Sequence, residues 1–328
     1  MTATFYSEES ANRRNSFFLA LLVIAVLGGF GFLIGYVVGY GSNDEVAFGV
    51  GALMIAVAFG LLSAVGSYFG GDQLVLASSH AQEIQPQQAP ELFNVVNEMA
   101  VAAGVPMPKV YVIDDPSPNA FATGRDPNHS SIAVTSGLLQ KMDREELQGV
   151  IGHEMSHIRN YDIRFTLIVG VMVGSIALLA QLFLRYTFWF GGGRRNDREG
   201  NGGGGLGIIL LVIGLVMAVL APIFTSLVQL AVSRQREYLA DASSVELTRN
   251  PHGLERALAA LASDGEALHS ANGATQHLYI VNPLKKLGGT SGLFDTHPPI
   301  VDRINRLRQL TGEPPLDPGS TRALSGLE

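Results

Sequence analysis

The chain has 328 residues, a formal net charge of -7, no cysteine, 47% hydrophobic residues and only 16% charged residues. The lack of cysteine excludes disulfides and thiolate metal ligands, and an acidic isoelectric point near 5.6 argues against a nucleic-acid partner. A mean hydropathy of +0.24 agrees with a membrane protein.

The N-terminal part contains two long apolar segments, at about 17–40 and 46–69, and neither carries a charge. Each is longer than the roughly 20 residues that a helix needs to cross a bilayer. A second span follows the first at once, so we interpret the first as a retained anchor and not as a cleaved signal peptide. Residues 1–72 are therefore predicted to form a transmembrane hairpin.

Residues 73–162 have the composition of a soluble domain part. A helix is predicted from Ala89 to Ala103, because apolar positions recur at helical spacing and Gly104 follows as a stop signal. Short runs rich in β-formers, separated by Pro, Gly and Asn, then predict a small sheet. These runs are Lys109–Asp114, Asn119–Thr123 and Ser131–Thr135.

The segment 153–157 reads His-Glu-Met-Ser-His. In a helix, His153 and His157 share one face and can bind one tetrahedral metal ion, while Glu154 can reach a water molecule at that metal without being a ligand. The spacing therefore predicts a zinc site with its own catalytic base. The alternative is a surface helix with two solvated histidines.

The residues around this motif favour a helix. Asp143 and Glu146 have the spacing of a capping box. Gly149 and Gly152 weaken a helix, but they would let another element approach the metal-binding face closely. We therefore expect the motif to lie in a helix.

A second apolar pair follows at about 163–184 and 206–230, separated by a Gly-rich linker at 191–205. Arg185 and the aromatic residues after it are typical of a membrane interface. We predict a second transmembrane hairpin within residues 163–232.

Residues 233–310 are predicted to complete the catalytic domain. Glu237 and Asp241 are four positions apart, so they share a helix face. Glu237 is the candidate third metal ligand, and Asp241 can accept a hydrogen bond from a ligand histidine. The alternative is an amphipathic helix with solvated charges.

A further helix is predicted from Pro251 to about Ala262, followed by a candidate lid over residues 263–292. His297 stands in a Pro-rigid turn, where it could donate a hydrogen bond to the oxyanion of a tetrahedral intermediate. Arg303 could do the same, could pair with an active-site carboxylate, or could be purely structural. Residues 311–328 are predicted to be a flexible tail.

Four motifs in this order resemble the HtpX-type bacterial membrane zinc endopeptidases, which are related to the CaaX prenyl proteases. The motifs are Pro118–Gly124, the HExxH helix, Glu237 to Asp241, and Phe294–Pro299. The resemblance extends from the first apolar segment to about Leu310. It implies one zinc ion per subunit bound by His153, His157 and Glu237, with Glu154 as catalytic base.

The resemblance also implies an edge strand that binds substrate backbone through Asn119, Ala120, Phe121 and Ala122. It further implies a role in the quality control of damaged membrane proteins and in the stress response. The implied partners are polypeptide substrates and membrane lipid. The oligomeric state stays open.

The expected fold is a mainly α membrane protein with four transmembrane helices and an α+β zincin-type (gluzincin) catalytic domain with a small sheet. Arg13 and Arg14 precede the first span. The loop after that span contains acidic residues but no Lys or Arg. By the positive-inside rule we expect the active site to face the cytoplasm, and the resemblance implies that the membrane is the bacterial inner membrane. The alternatives are a CaaX-type protease and a non-catalytic scaffold with a structural zinc.

Overall fold

The structure is a computed structural model that describes residues 5–39, 42–168, 170, 234–264, 268, 278–281 and 298–316. The chain forms two compact units. One consists of Met1–Arg14, Phe69–Leu167 and Gln229–Glu328, and the other of Asn15–Tyr68 and Ile168–Val228.

The first two helices are α1 (Phe5–Val38) and α2 (Glu45–Ser78), each with 34 residues. Within the second unit they pack with close backbone contact, since a Cβ added to Gly31 would lie 2.6 Å from the carbonyl oxygen of Ala52. Small residues four apart, here Gly31 and Gly35, are typical of packed membrane helices.

Among the described residues, α2 is the one helix long and apolar enough to cross a membrane, and α1 has a shorter apolar stretch, Ala20–Tyr36. Most of the predicted spans 163–184 and 206–230, and the linker 191–205, lie outside the described residues. The four-span arrangement therefore stays a prediction.

The unit that includes Phe69–Leu167 contains a four-stranded mixed sheet and helix α3 (Pro90–Ala103). As predicted, α3 ends at Gly104, whose φ is 69°. The strands lie in the order β1-β2-β4-β3. They are β1 (Gln82–Glu83), β2 (Lys109–Ile113), β3 (Ala120–Asp126) and β4 (His129–Thr135). The three predicted strands are confirmed within a few residues. Strand β1 was not predicted, because two residues are too few to show an alternating pattern.

Strand β3 lies at one edge of the sheet and pairs with β4 antiparallel. Thr135 N–H donates to the carbonyl of Asn119 at 2.9 Å, whereas Ala120 lies opposite Val134. Since hydrogen-bonded and non-hydrogen-bonded pairs alternate, the backbone groups of Ala120 and Ala122 point away from β4, toward the outer edge.

The other helices of this unit include α4 (Ser136–Lys141), α5 (Arg144–Arg159), α6 (Arg234–Thr248), α7 (Pro251–Ser263) and α8 (Ile300–Thr311). Residues 162–167 are also helical. The predicted capping box of Asp143 and Glu146 starts α5. The mainly helical fold with a small sheet agrees with the prediction from sequence.

Helix α5 lies at the centre of this unit because two of its glycines admit neighbouring helices. A Cβ on Gly149 would lie 2.6 Å from the backbone nitrogen of Leu254 in α7, and one on Gly152 would lie 2.9 Å from Ser244 Oγ in α6. Ser244 also donates a 2.7 Å hydrogen bond to the Gly149 carbonyl. The expected close approach is therefore present, and it brings α6 against the HExxH motif.

Candidate active site

The HExxH motif and α6 bring three metal-binding side chains together. His153 Nε2 and His157 Nε2 are 3.2 Å apart. Glu237 places its carboxylate oxygens 3.8 Å from His153 Nε2 and 3.6 Å from His157 Nε2. One potential ligand atom from each residue lies within 4.8 Å of the others, so a single ion can reach all three.

On one side of this cluster, His153 is oriented by Asp241, whose Oδ1 lies 3.0 Å from His153 Nδ1. Arg303 is fully buried and donates to the same carboxylate through Nε at 2.9 Å and Nη2 at 2.6 Å. The Arg303 Nη2 atom also lies 3.3 Å from His153 Nδ1. Both nitrogens are donors toward Asp241, so we interpret this contact as proximity and not as a hydrogen bond.

On the other side, His157 is oriented by Asp162, whose Oδ2 lies 2.9 Å from His157 Nδ1. Asp162 was not singled out from the sequence. Its position five residues after His157 was the available signal, but α5 ends at Arg159. No helical periodicity therefore connects the two residues, and the turn between them brings Asp162 back.

This arrangement fits a metal ion. A carboxylate on each Nδ1 assigns the proton of each imidazole to Nδ1, which leaves the lone pairs of both Nε2 atoms facing each other. Two neutral Nε2 acceptors 3.2 Å apart repel each other, and a cation bound between them relieves this repulsion. Two imidazoles and one carboxylate are the donor set of a catalytic zinc site with a fourth position open.

The pKa shifts of the two histidines are opposite in sign. Burial lowers the pKa of His153 to about 4, although the hydrogen bond to Asp241 opposes the shift. Burial also disfavours the charged form of His157, but Asp162 and the charge of Glu237 outweigh it and raise its pKa to about 9. The carboxylates around His157 thus favour positive charge at this point.

Glu154 lies beside the cluster and is 1% exposed. The backbone N–H of Ala122, on the outer edge of β3, faces its carboxylate and favours the charged form, which lowers its pKa. Burial raises the pKa of Glu154 to about 7, against the opposing effect of the His157 imidazole. A carboxyl group in this position can both accept and release a proton near neutral pH.

A cleft opens beside these groups, and residues 278–281 form one of its walls. We call residues 278–281 the strap. The cleft is lined by Ala122, His153, Glu154, His157, Ile163, Glu237 and the strap residues Leu278, Tyr279 and Ile280, together with Asp162, Thr166 and Arg236.

The strap is held against the start of β3. Ile280 N–H donates to the Ala120 carbonyl at 3.0 Å, and Asn119 Nδ2 donates to the Val281 carbonyl at 3.0 Å. Arg303 Nη1 donates to the Ile280 carbonyl at 2.9 Å. Ile280 is 1% exposed, and burial of such a side chain stabilises by about 1.5–3 kcal/mol.

The four residues predicted to bind substrate therefore have different surroundings. Asn119 and Ala120 contact the strap, and Phe121 is fully buried with its ring packed edge-on against Tyr279 at 5.1 Å between centroids. Ala122 faces the cleft. The strap belongs to residues 263–292, which the sequence predicts as a candidate lid. Most of that stretch lies outside the described residues, so the lid stays a prediction.

Two predicted residues near the C-terminal end have different outcomes. His297 lies outside the described residues, so its oxyanion role stays a prediction. Arg303 pairs with Asp241 and has its Nη1 atom 3.6 Å from Glu237 Oε2. Pairing with an active-site carboxylate is one of the three roles that the sequence left open.

A buried helix that presents two imidazoles to one ion, with a carboxylate between them in sequence, is the arrangement of the zincin class of metallopeptidases. The comparison with known families agrees with this class. The pattern of peptidase family M48 matches residues 86–311. The chain belongs to this family, and it is a metalloprotease of the membrane.

Similar proteins are found in several bacteria. A protease HtpX homolog of Streptococcus uberis is 47% identical over 307 residues, which are 93% of this chain and 99% of that protein. One from Caldanaerobacter subterraneus subsp. tengcongensis is 44% identical over 309 residues, covering 94% of this chain and 98% of the relative. The crystal structure of S. mikatae Ste24p is similar with a TM-score of 0.44 and 16% identity, over 93% of this chain and 66% of that one.

Proposed function

We propose that the protein is a zinc-dependent endopeptidase that hydrolyses damaged or misfolded membrane proteins at the cytoplasmic face of the bacterial inner membrane. The observation that carries the proposal is the juxtaposition of His153, His157 and Glu237 with Glu154 buried beside them. The membership of the protease family supports the reaction. The substrate class and the location are the proposed parts.

The side chains have distinct proposed roles. His153, His157 and Glu237 would hold the zinc ion, which when bound supplies a Lewis acid and lowers the pKa of a water molecule to about 7. Glu154 takes the proton of the attacking water and passes it to the leaving amine. His297 would donate a hydrogen bond to the oxyanion.

Asp241 and Asp162 are proposed to position the two ligand histidines through their Nδ1 atoms. Such carboxylates fix the ring orientation and raise the basicity of the ligand nitrogen. Arg303 is fully buried and holds Asp241 through two hydrogen bonds. We therefore assign it a positioning role and not that of an oxyanion donor.

Substrate is proposed to bind as an added strand at the outer edge of β3, within the predicted stretch from Asn119 to Ala122 and the residues that follow. Strand addition recognises backbone more than side chains, which suits a protease that acts on many damaged proteins. Ala122 and Glu154 line the same cleft, which supports this placement because it puts the proposed catalytic carboxylate beside the strand edge.

The substrate class can be tested with the purified full-length chain in detergent, loaded with zinc. We expect casein, and a destabilised membrane protein more than its stable parent, to be cleaved, while a CaaX peptide is not. Glu154→Gln should cleave neither protein substrate, whereas the exposed control Glu91→Gln should behave as wild type. Preferred cleavage of the CaaX peptide would favour the prenyl-protease alternative, and equal cleavage of stable and destabilised proteins would contradict the quality-control role.

The location can be tested by thiol labelling, because the chain has no cysteine of its own. Gln87 is exposed and precedes α3, so Gln87→Cys places one label site on the catalytic part. A membrane-impermeant maleimide should label it in inverted vesicles but not in intact spheroplasts. Labelling in spheroplasts would place the catalytic part on the opposite side.

A further inference from the structure

The strap, residues 278–281, occupies part of the edge that an added substrate strand would use. The Ala120 carbonyl points away from β4 and already accepts the Ile280 N–H at 3.0 Å. The Asn119 side chain is directed to the Val281 carbonyl. Along this edge, the next outward-facing residue of β3 is Ala122, two positions further on.

The strap is a fixed part of the wall and not a segment that substrate displaces. Tyr279 is fully buried against Phe121, and Ile280 belongs to the main hydrophobic core. The Ile280 carbonyl also accepts from the fully buried guanidinium of Arg303, which holds Asp241. Release of the strap would therefore expose two large side chains and remove a partner from a buried charge, which is costly.

Leu278 differs from the other strap residues because its side chain is half-buried and lines the cleft. It lies with Ala122 and Ile163 among the apolar groups of the lining. A change at Leu278 can therefore alter the cleft without opening the core, which a change at Ile280 would do.

We propose that the strap ends the substrate cleft at Ala120, so that an extended peptide pairs with β3 from Ala122 onward, and that Leu278 determines the size of the apolar substrate side chain accepted beside it. The proposal rests on the proposed strand addition and names the residue that sets its specificity. The preferred substrate is a peptide with an apolar residue of medium size at the position that contacts Leu278.

The test uses the zinc-loaded full chain and a set of quenched fluorescent peptides that carry Ala, Leu or Trp at each position around the cleaved bond. Leu278→Ala should shift the kcat/KM ratio of the Trp peptide to the Leu peptide upward by about 10-fold or more at one position, since a pocket discriminates by roughly 10- to 200-fold per methylene-scale change. Leu278→Trp should shift the preference toward Ala at the same position. The half-buried Leu139 in α4, outside the cleft lining, provides the control Leu139→Ala, which should leave the ratios unchanged.

A second measurement does not depend on turnover. In a Glu154→Gln background, the affinities of the same peptides, measured by fluorescence anisotropy, should shift in the same direction with each Leu278 variant. Unchanged ratios and affinities in both Leu278 variants, with wild-type cleavage intact, would overturn this inference while leaving the proposed protease function in place. Absence of cleavage by the zinc-loaded wild type would overturn both.

The fixed position of the strap has its own test. Ile280→Pro removes the N–H that pairs with Ala120, whereas Val281→Pro introduces proline next to it and keeps that N–H. A fixed wall predicts that Ile280→Pro lowers kcat/KM for all peptides by about 10-fold or more, in line with the loss of a positioning contact, and that Val281→Pro has a smaller effect. Faster cleavage by Ile280→Pro would show that the strap is an inhibitory segment, and would contradict the proposal.

Discussion

Helices α5 and α6 contribute to the same candidate site in different ways. Helix α5 carries two imidazoles and the proposed base within five consecutive residues, whereas α6 carries one proposed ligand, Glu237, and the orienting carboxylate Asp241. The groups of α5 have their relative positions set by one helix turn. Those of α6 reach the site through helix packing, and Gly152 lets that helix come close. Functional residues that share one helix can be predicted from the sequence, whereas the residues that a second helix adds to the site depend on how the two helices pack.

The largest effect is expected from removing the contribution of α6. Glu237→Ala removes the third proposed ligand and leaves two imidazoles, so zinc should be lost together with all proteolysis. Metal content of the purified protein, measured by mass spectrometry, checks this. Glu246 is exposed on the same helix, and Glu246→Ala should retain its zinc. Full zinc occupancy in Glu237→Ala would place the third ligand elsewhere.

The matching change in α5 should separate metal binding from catalysis. Glu154→Gln keeps the shape of the side chain but cannot take the proton, so casein cleavage should fall by about 10²- to 10⁴-fold. Zinc content should stay near that of wild type because Glu154 is not a proposed ligand. Activity near wild type with normal zinc content would remove Glu154 from the mechanism.

A third region, the segment that precedes α8, should affect turnover alone. His297→Ala is expected to lower kcat by about 10²- to 10³-fold, as the loss of one oxyanion donor does, with little change in KM because the charge develops in the transition state. Steady-state kinetics and metal analysis of the same preparation measure both effects. Loss of zinc would instead identify His297 as a fourth ligand.

The smallest effects are expected at the carboxylates that orient the histidines. Asp241→Ala and Asp162→Ala should each weaken zinc affinity by about 10- to 100-fold. Asp241→Ala should have the larger effect, because it also leaves the guanidinium of Arg303 buried without its main partner. Competition with a fluorescent zinc chelator measures the affinities. An Asp162→Ala variant with wild-type affinity would show that His157 is oriented without it.

Much of the site could be predicted because its signals are local. The capping box of Asp143 and Glu146, the end of α3 at Gly104, and the shared face of His153 and His157 follow from helix geometry over one or two turns. The i,i+4 spacing also placed Glu237 and Asp241 on one face, and the structure brings both against the HExxH helix.

The remaining features depend on contacts between distant parts of the chain. The hydrogen bonds from Arg303 to Asp241 connect residues 62 positions apart, and the bond from Asn119 to Val281 connects residues 162 positions apart. Asp162 is close in sequence to His157, but a turn outside the helix brings them together. The sequence by itself determined the helix with its two imidazoles and base, because each turn of a helix has one geometry. Only the tertiary structure decided which carboxylate orients each histidine and where the strap meets β3, because those pairings follow from the packing of separate elements around a common core.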